Sequence, residues 1–141
     1  MATTASQQYA REYMRTQTET SSPTKLVVML YDGAVRFLSL GREKMAVGDV
    51  EARHNYLVKA QRIIGELLSS LDFEKGGEIA RNLQRIYTYM LQQLVEANLH
   101  DRVEPIDDVI KLLRELRESW AEIDRMQQES AAAPRETAVG A

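Results

Sequence analysis

From Ile106 to Ile123 the large apolar residues Ile106, Val109, Leu113, Leu116, Trp120 and Ile123 recur at spacings of 3, 4, 3, 4 and 3. A strand would need alternation, and a random coil would need neither period. This pattern instead puts one apolar stripe along a helix and demands partner helices to bury it. Leu57, Ala60, Ile64, Leu67 and Leu71 repeat the motif at 3, 4, 3 and 4. Nowhere do β-branched and polar residues alternate between turn clusters, so no strand is expected.

Proline and glycine cut the 141-residue chain into helical lengths. Ser22-Pro23 reads as an N-cap followed by proline at the first helical position, where its missing N–H costs nothing. Gly48-Asp49 provides a stop and a new cap, Gly76-Gly77 a second reversal, and Glu104-Pro105 a further start. Helices are therefore expected at about 23–47, 49–71, 77–100 and 105–126. Each would be about 30–37 Å long, and short connections make sequential neighbours antiparallel. The expected fold is all-α: an antiparallel up-down-up-down four-helix bundle over 22–127, preceded by a partly ordered arm at 1–21. The tail at 128–141, with Pro134 and few large side chains, is expected to be disordered. Gly33, Gly41 and Gly65 fall inside helices and are read as marks of close packing.

Several function classes are excluded. There is no cysteine, and the only two histidines, His54 and His100, lack metal-site spacing. Glu51-x-x-His54 has no second copy, so a di-metal bundle is not supported. No nucleophile is paired with a base and no phosphate loop is present, so neither catalysis nor a cofactor is expected. The net charge of −3, with both signs interspersed, gives no basic footprint for nucleic acid. No apolar run approaches the roughly 18 residues a membrane span needs, and the N-terminus lacks a secretory pattern, so a cytoplasmic location is expected.

The first and third helices carry apolar arcs wider than one seam. The third has one stripe of Ile79, Leu83, Ile86, Met90 and Leu94 and another of Ala80, Tyr87, Leu91 and Val95. Such an arc serves either as a broad core face or as the wall of a groove for an amphipathic partner. Tyrosine and methionine suit a repacking surface, which makes Tyr31, Tyr56, Tyr87, Tyr89 and Met90 candidates for the groove, with Leu91 and Leu94 beside them. Asn82 and Asn98 lie among these residues, as satisfied polar contacts or as donors to a bound backbone.

Taken in order, the motifs resemble a known family. They are Tyr9-Ala10, Ser22-Pro23, Met29-Leu30-Tyr31-Asp32-Gly33-Ala34, Gly48-Asp49, Lys59-Ala60 and Ile63-Ile64. They continue with Leu71-Asp72, Glu74-Lys75-Gly76-Gly77-Glu78-Ile79-Ala80, Asn82-Leu83, Tyr87-x-Tyr89-Met90, Ala97-Asn98 and Leu112-Leu113 before Trp120. Over roughly residues 9–123 the chain resembles the flagellin-specific flagellar secretion chaperones, the FliS family. The resemblance implies a cytoplasmic export chaperone. It would bind the disordered C-terminal segment of flagellin, prevent premature polymerisation and deliver the client to the flagellar type III export gate. Tyr9, Tyr13 and Met14 in the arm would then cover the client groove or dock at the gate protein. Other flagellar regulators are further partners the resemblance allows, with the chaperone a monomer or weak dimer. The competing reading is a homodimeric structural or adaptor bundle.

Overall fold

The computed structural model describes residues 22–132 and, in the N-terminal segment, the single position Gln8. The expected arm residues Tyr9, Tyr13 and Met14 lie outside the described residues. Four helices follow in order: α1 (Pro23–Ala46), α2 (Val50–Ser69), α3 (Phe73–His100) and α4 (Glu104–Ala132). The described residues contain no strand, so the fold is all-α.

The helices form a four-membered ring in which α1 touches α2 and α4, and α3 closes the ring against the same two. One core fills it: Leu30, Ala34 and Leu38 from α1, Leu57, Ala60 and Ile64 from α2, Leu83, Met90 and Leu94 from α3, and Ile106, Val109 and Leu113 from α4. Both helices read from 3,4 spacing bury most of that stripe, but Leu71, Leu116 and Trp120 are half-buried and Ile123, at the end of the α4 stripe, is exposed.

Local capping fixes the ends. Ser22 accepts from the Lys25 N–H, and Asp49 accepts from the Ala52 N–H. At the α2–α3 reversal the expectation needs correction. The chain turns at Ser70–Asp72, ahead of the double glycine, because Asp72 Oδ1 accepts from the Glu74 and Lys75 N–H groups at 3.0 Å each. That cap starts a helical turn at Phe73, and Gly77 (φ 50°, ψ −124°) then kinks the helix. Only glycine takes that backbone geometry without strain.

The second correction concerns α4, which continues past Met126 to Ala132, into the stretch expected to be disordered. Gln127, Gln128, Glu129, Ala131 and Ala132 are good helix formers, and Arg125 pairs with Glu122 and Glu129 one turn away on each side. No proline intervenes before Pro134.

A glycine inside a helix costs about 0.5–1 kcal/mol relative to alanine. Two of the three interior glycines return that cost in packing. A Cβ at Gly33 would sit 3.4 Å from Ile63 Cδ1, and one at Gly41 only 3.1 Å from Leu57 Cδ2, so both let α1 and α2 approach. Gly65 is different: a Cβ there meets nothing within 4 Å among the described residues.

Candidate functional site

The buried seam of α3 cuts across both of its apolar stripes. Ala80, Leu83, Tyr87, Met90, Leu94 and Ala97, spaced 3, 4, 3, 4 and 3, are the residues that go inside. What remains of each stripe is left on a flank. Ile79 and Ile86 fall on one side; Leu91 and Val95 fall on the other, with Leu99 one turn further. Ile79 is 70% exposed, Val95 55% and Leu99 72%, whereas Ile86 and Leu91 are half-buried against the core.

Of the residues expected in a groove, Tyr31, Tyr87, Met90 and Leu94 are therefore core instead. The reason is chemical as well as periodic. The Tyr31 and Tyr87 hydroxyls meet at 2.5 Å, and Trp120 Nε1 donates to the Tyr31 hydroxyl at 3.1 Å. Each polar tip thus finds its partner inside, and a tyrosine satisfied in this way has no need of the surface. Burial pushes both hydroxyls above the ordinary tyrosine value of 10.0, Tyr31 furthest, with Tyr87 beside it reinforcing the effect.

The remaining candidates separate. Leu91 and Asn98 stay together on one flank of α3, while Asn82 is exposed on the opposite side and accepts from Arg85 Nη1. Tyr56 faces α1: its ring stacks on Phe37 with centroids 6.3 Å apart, and Lys59 Nζ lies 5.5 Å from both ring centroids.

Asn98 belongs to a polar corner that joins the start of α2 to the end of α3. Arg53, the one buried charged side chain among the described residues, donates through Nε to Asn98 Oδ1 and through Nη2 to the Asn98 carbonyl. Its Nη1 reaches Asp101 at 2.7 Å, on the residue that ends α3 in the left-handed conformation (φ 53°). With its oxygen engaged there, the Asn98 amide nitrogen donates to His54 Nδ1 at 2.7 Å.

This contact orients the two helices. His54, Val58, Gln61 and Gly65 are spaced 4, 3 and 4, so all four share the flank of α2 that faces α3. Leu91, Val95 and Asn98 form the facing flank of α3. The other flank of α3 faces α4. There Leu116, Ile123 and Met126 occupy the side of α4 turned from α1, with Ile123 and Met126 exposed.

The α1–α4 face has another character. Two clefts of about 830 and 490 Å³ lie along it, lined by charges of both signs. Arg42 pairs with Asp107 at 3.0 Å and Arg117 with Asp32. At the far end Ser22 Oγ donates to Asp124 Oδ1 at 2.7 Å, and the Thr24 hydroxyl donates to Gln127 Oε1. This seam is fastened by polar contacts, with Met45, Val103 and Ile110 also lining the larger cleft.

Sequence reasoning did not single out Ile123 or Met126 as exposed apolar residues. For the flanks of α3 the signal lay in that helix having more apolar residues than one 3,4 seam can absorb. No group of three or more His, Asp or Glu side chains among the described residues could hold a metal, and no helix is long and apolar enough to cross a membrane.

A profile of the family described as "Flagellar protein FliS" matches residues 5–128. The chain is 40% identical over 116 residues to the flagellar secretion chaperone FliS of Salmonella typhimurium, a match spanning 82% of this chain and 86% of the relative. It is 37% identical over 117 residues to that of Vibrio cholerae (83% and 86%), and 35% identical over 116 residues to FliSB of Pseudomonas aeruginosa (82% and 92%).

Proposed function

Because the chain belongs to the FliS family of flagellar secretion chaperones, we propose that it binds the disordered C-terminal segment of flagellin. In this reading it keeps that segment from polymerising in the cytoplasm and delivers it to the flagellar type III export gate. The observation that carries the reading is the pair of apolar flanks beside the α3 seam. Ile79, Val95 and Leu99 are large, exposed and unneeded by the core, as expected of walls that receive amphipathic helices ordering on contact. Work of this kind needs no catalytic group, and the protein is not an enzyme in this reading.

The reading also takes the bundle as antiparallel, up-down-up-down. Three contacts support this: the start of α1 meets the end of α4, Arg42 late in α1 meets Asp107 early in α4, and Arg53 early in α2 meets Asp101 just past α3. Residues 1–21 act as an arm, with Tyr9, Tyr13 and Met14 covering a flank or engaging the gate.

The test is calorimetric titration of the full chain with a synthetic flagellin C-terminal peptide. Val95→Asp and Ile79→Asp change exposed positions, so both should melt like the wild type yet bind the peptide roughly tenfold or more weakly. Wild-type affinity in both folded variants would remove the flanks from the site. A dimer that strengthens with concentration, together with no peptide affinity, would favour the self-associating bundle instead.

A further inference from the structure

The α1–α4 face carries charges that its own helices leave unmatched. Lys111, Arg114, Glu115 and Glu118 are all exposed, and their spacing of 3, 1 and 3 puts them on one stripe of α4. That stripe borders α1. Lys111 lines the larger cleft and Glu118 the smaller, while Arg114 and Glu115 line both. Lys111, Arg114 and Glu115 make no ion pair among the described residues. Glu118 is 80% exposed, with Arg117 of its own helix 3.6 Å away. Lys111 and Glu115 stand one turn apart, as do Arg114 and Glu118, but with the cation first, the less favourable order within a helix. That order suits a different partner. The stripe runs cation, cation, acid, acid, so its reverse is acid, acid, cation, cation, and it is complementary to itself when antiparallel.

We propose that this face pairs with a second copy of the chain, about a two-fold axis passing between Arg114 and Glu115. Arg114 then meets Glu115 of the second copy, Lys111 meets its Glu118, and symmetry repeats both contacts. A parallel pairing sets like charges together and is repelled. Further out Asp107 meets Glu122 of the second copy, but each is already neutralised within its own chain, by Arg42 and by Arg125. The long side chains of the second copy lie into the clefts, their methylene stems over Val35, Met45 and Val103. Exposed ion pairs are individually weak and screened by salt, so the dimer is reversible and forms only at high concentration. Because α1 and α3 are diagonal in the ring, the pairing leaves the α2–α3 side uncovered. It is independent of the client-binding reading.

The experiment is sedimentation equilibrium of the full chain, from micromolar to near-millimolar, at low salt and in about 0.5 M salt. The wild type should dimerise at low salt, and the added salt should weaken the dimer roughly tenfold or more. Arg114→Glu and Glu115→Arg each set like charges at the axis and should be monomers. Both positions are exposed, so both variants should melt like the wild type. The double variant, Arg114→Glu with Glu115→Arg, keeps the net charge of the wild type and exchanges the signs at the axis, so its dimer should return. Non-specific attraction between charged surfaces predicts no such rescue. A wild type monomeric throughout at low salt, a dimer unchanged in Arg114→Glu, or a double variant that stays monomeric each overturns the proposal. A dimer lost in Val95→Asp but kept in Arg114→Glu also overturns it, because that contact runs through the flanks of α3.

Discussion

Tyr31→Phe is the most informative single change in the core. It removes one oxygen and almost no volume, so its cost is electrostatic. The Tyr31 hydroxyl stands at the centre of three groups, 2.5 Å from the Tyr87 hydroxyl and 3.1 Å from Trp120 Nε1. Removing it leaves the buried Tyr87 hydroxyl without its partner, which costs about 1–3 kcal/mol, and takes a bond worth about 0.5–1.5 kcal/mol from half-buried Trp120. The expected loss is about 2–4 kcal/mol, measured by urea denaturation followed by circular dichroism at constant m. Tyr87→Phe leaves the Trp120 contact in place and should cost only about 1–2 kcal/mol. The double variant retains no orphaned hydroxyl between the two rings, so it should fall short of the sum by about 1 kcal/mol or more. Alkaline titration gives an independent arm. In the unfolded chain these tyrosines ionise near 10.0, while burial keeps the folded hydroxyls protonated. Above about pH 10 the native state therefore holds more protons than the unfolded one, and stability falls as pH rises. The slope from Tyr31 reaches about 1.4 kcal/mol per pH unit, Tyr87 adds in the same direction, and the double phenylalanine variant should flatten it. A Tyr31→Phe cost no larger than that of Tyr87→Phe, strict additivity, or an unchanged alkaline slope would each refute the coupled triad.

Gly77→Ala should destabilise by about 1–3 kcal/mol because of its backbone geometry (φ 50°, ψ −124°), although no side chain opposes the new methyl group; a urea midpoint equal to the wild type's would contradict this. Arg53→Ala should cost about 2–3 kcal/mol, since it strips the Asn98 corner of its donors, with solvent screening of the 70% exposed Asp101 keeping the figure below that of a fully buried pair. Arg42→Ala removes an ion pair of comparable length whose two partners are both exposed, and thermal melts should register at most about 0.5 kcal/mol.

The seams of α2 and α4 were legible in the sequence because each has few apolar residues beyond its 3,4 stripe. That spacing alone tells which side goes inward. On α3 the same rule is ambiguous: two stripes compete, and the true seam takes members of both. By composition Tyr87 and Met90 fit a core face or a groove wall equally, and only the partner across the core, Tyr31, reveals that a hydroxyl pair holds Tyr87 inside. Helix ends behaved likewise. Asp72 was in view as part of the turn motif, but a cap four residues ahead of a glycine competes with that glycine, and the cap prevailed. The Arg53 corner was invisible in sequence, because its members come from two helices and a turn. Gly65 could be seen as a glycine but not as an empty space, since emptiness is a property of neighbours.

Trp120 is the only tryptophan in the chain, and its indole N–H reports into the core while its ring stands on the α4 side of the bundle, near Ile123 and Met126. The molecule thus carries one tryptophan, placed on the helix that borders one flank of α3 and not on the helix that borders the other. A client helix seated between α3 and α4 should shift its emission, whereas one seated only over Gly65 should leave the spectrum dark to the event. Fluorescence and calorimetry followed on the same sample would then time the two flanks separately, and show in which order the chaperone is dressed by its cargo.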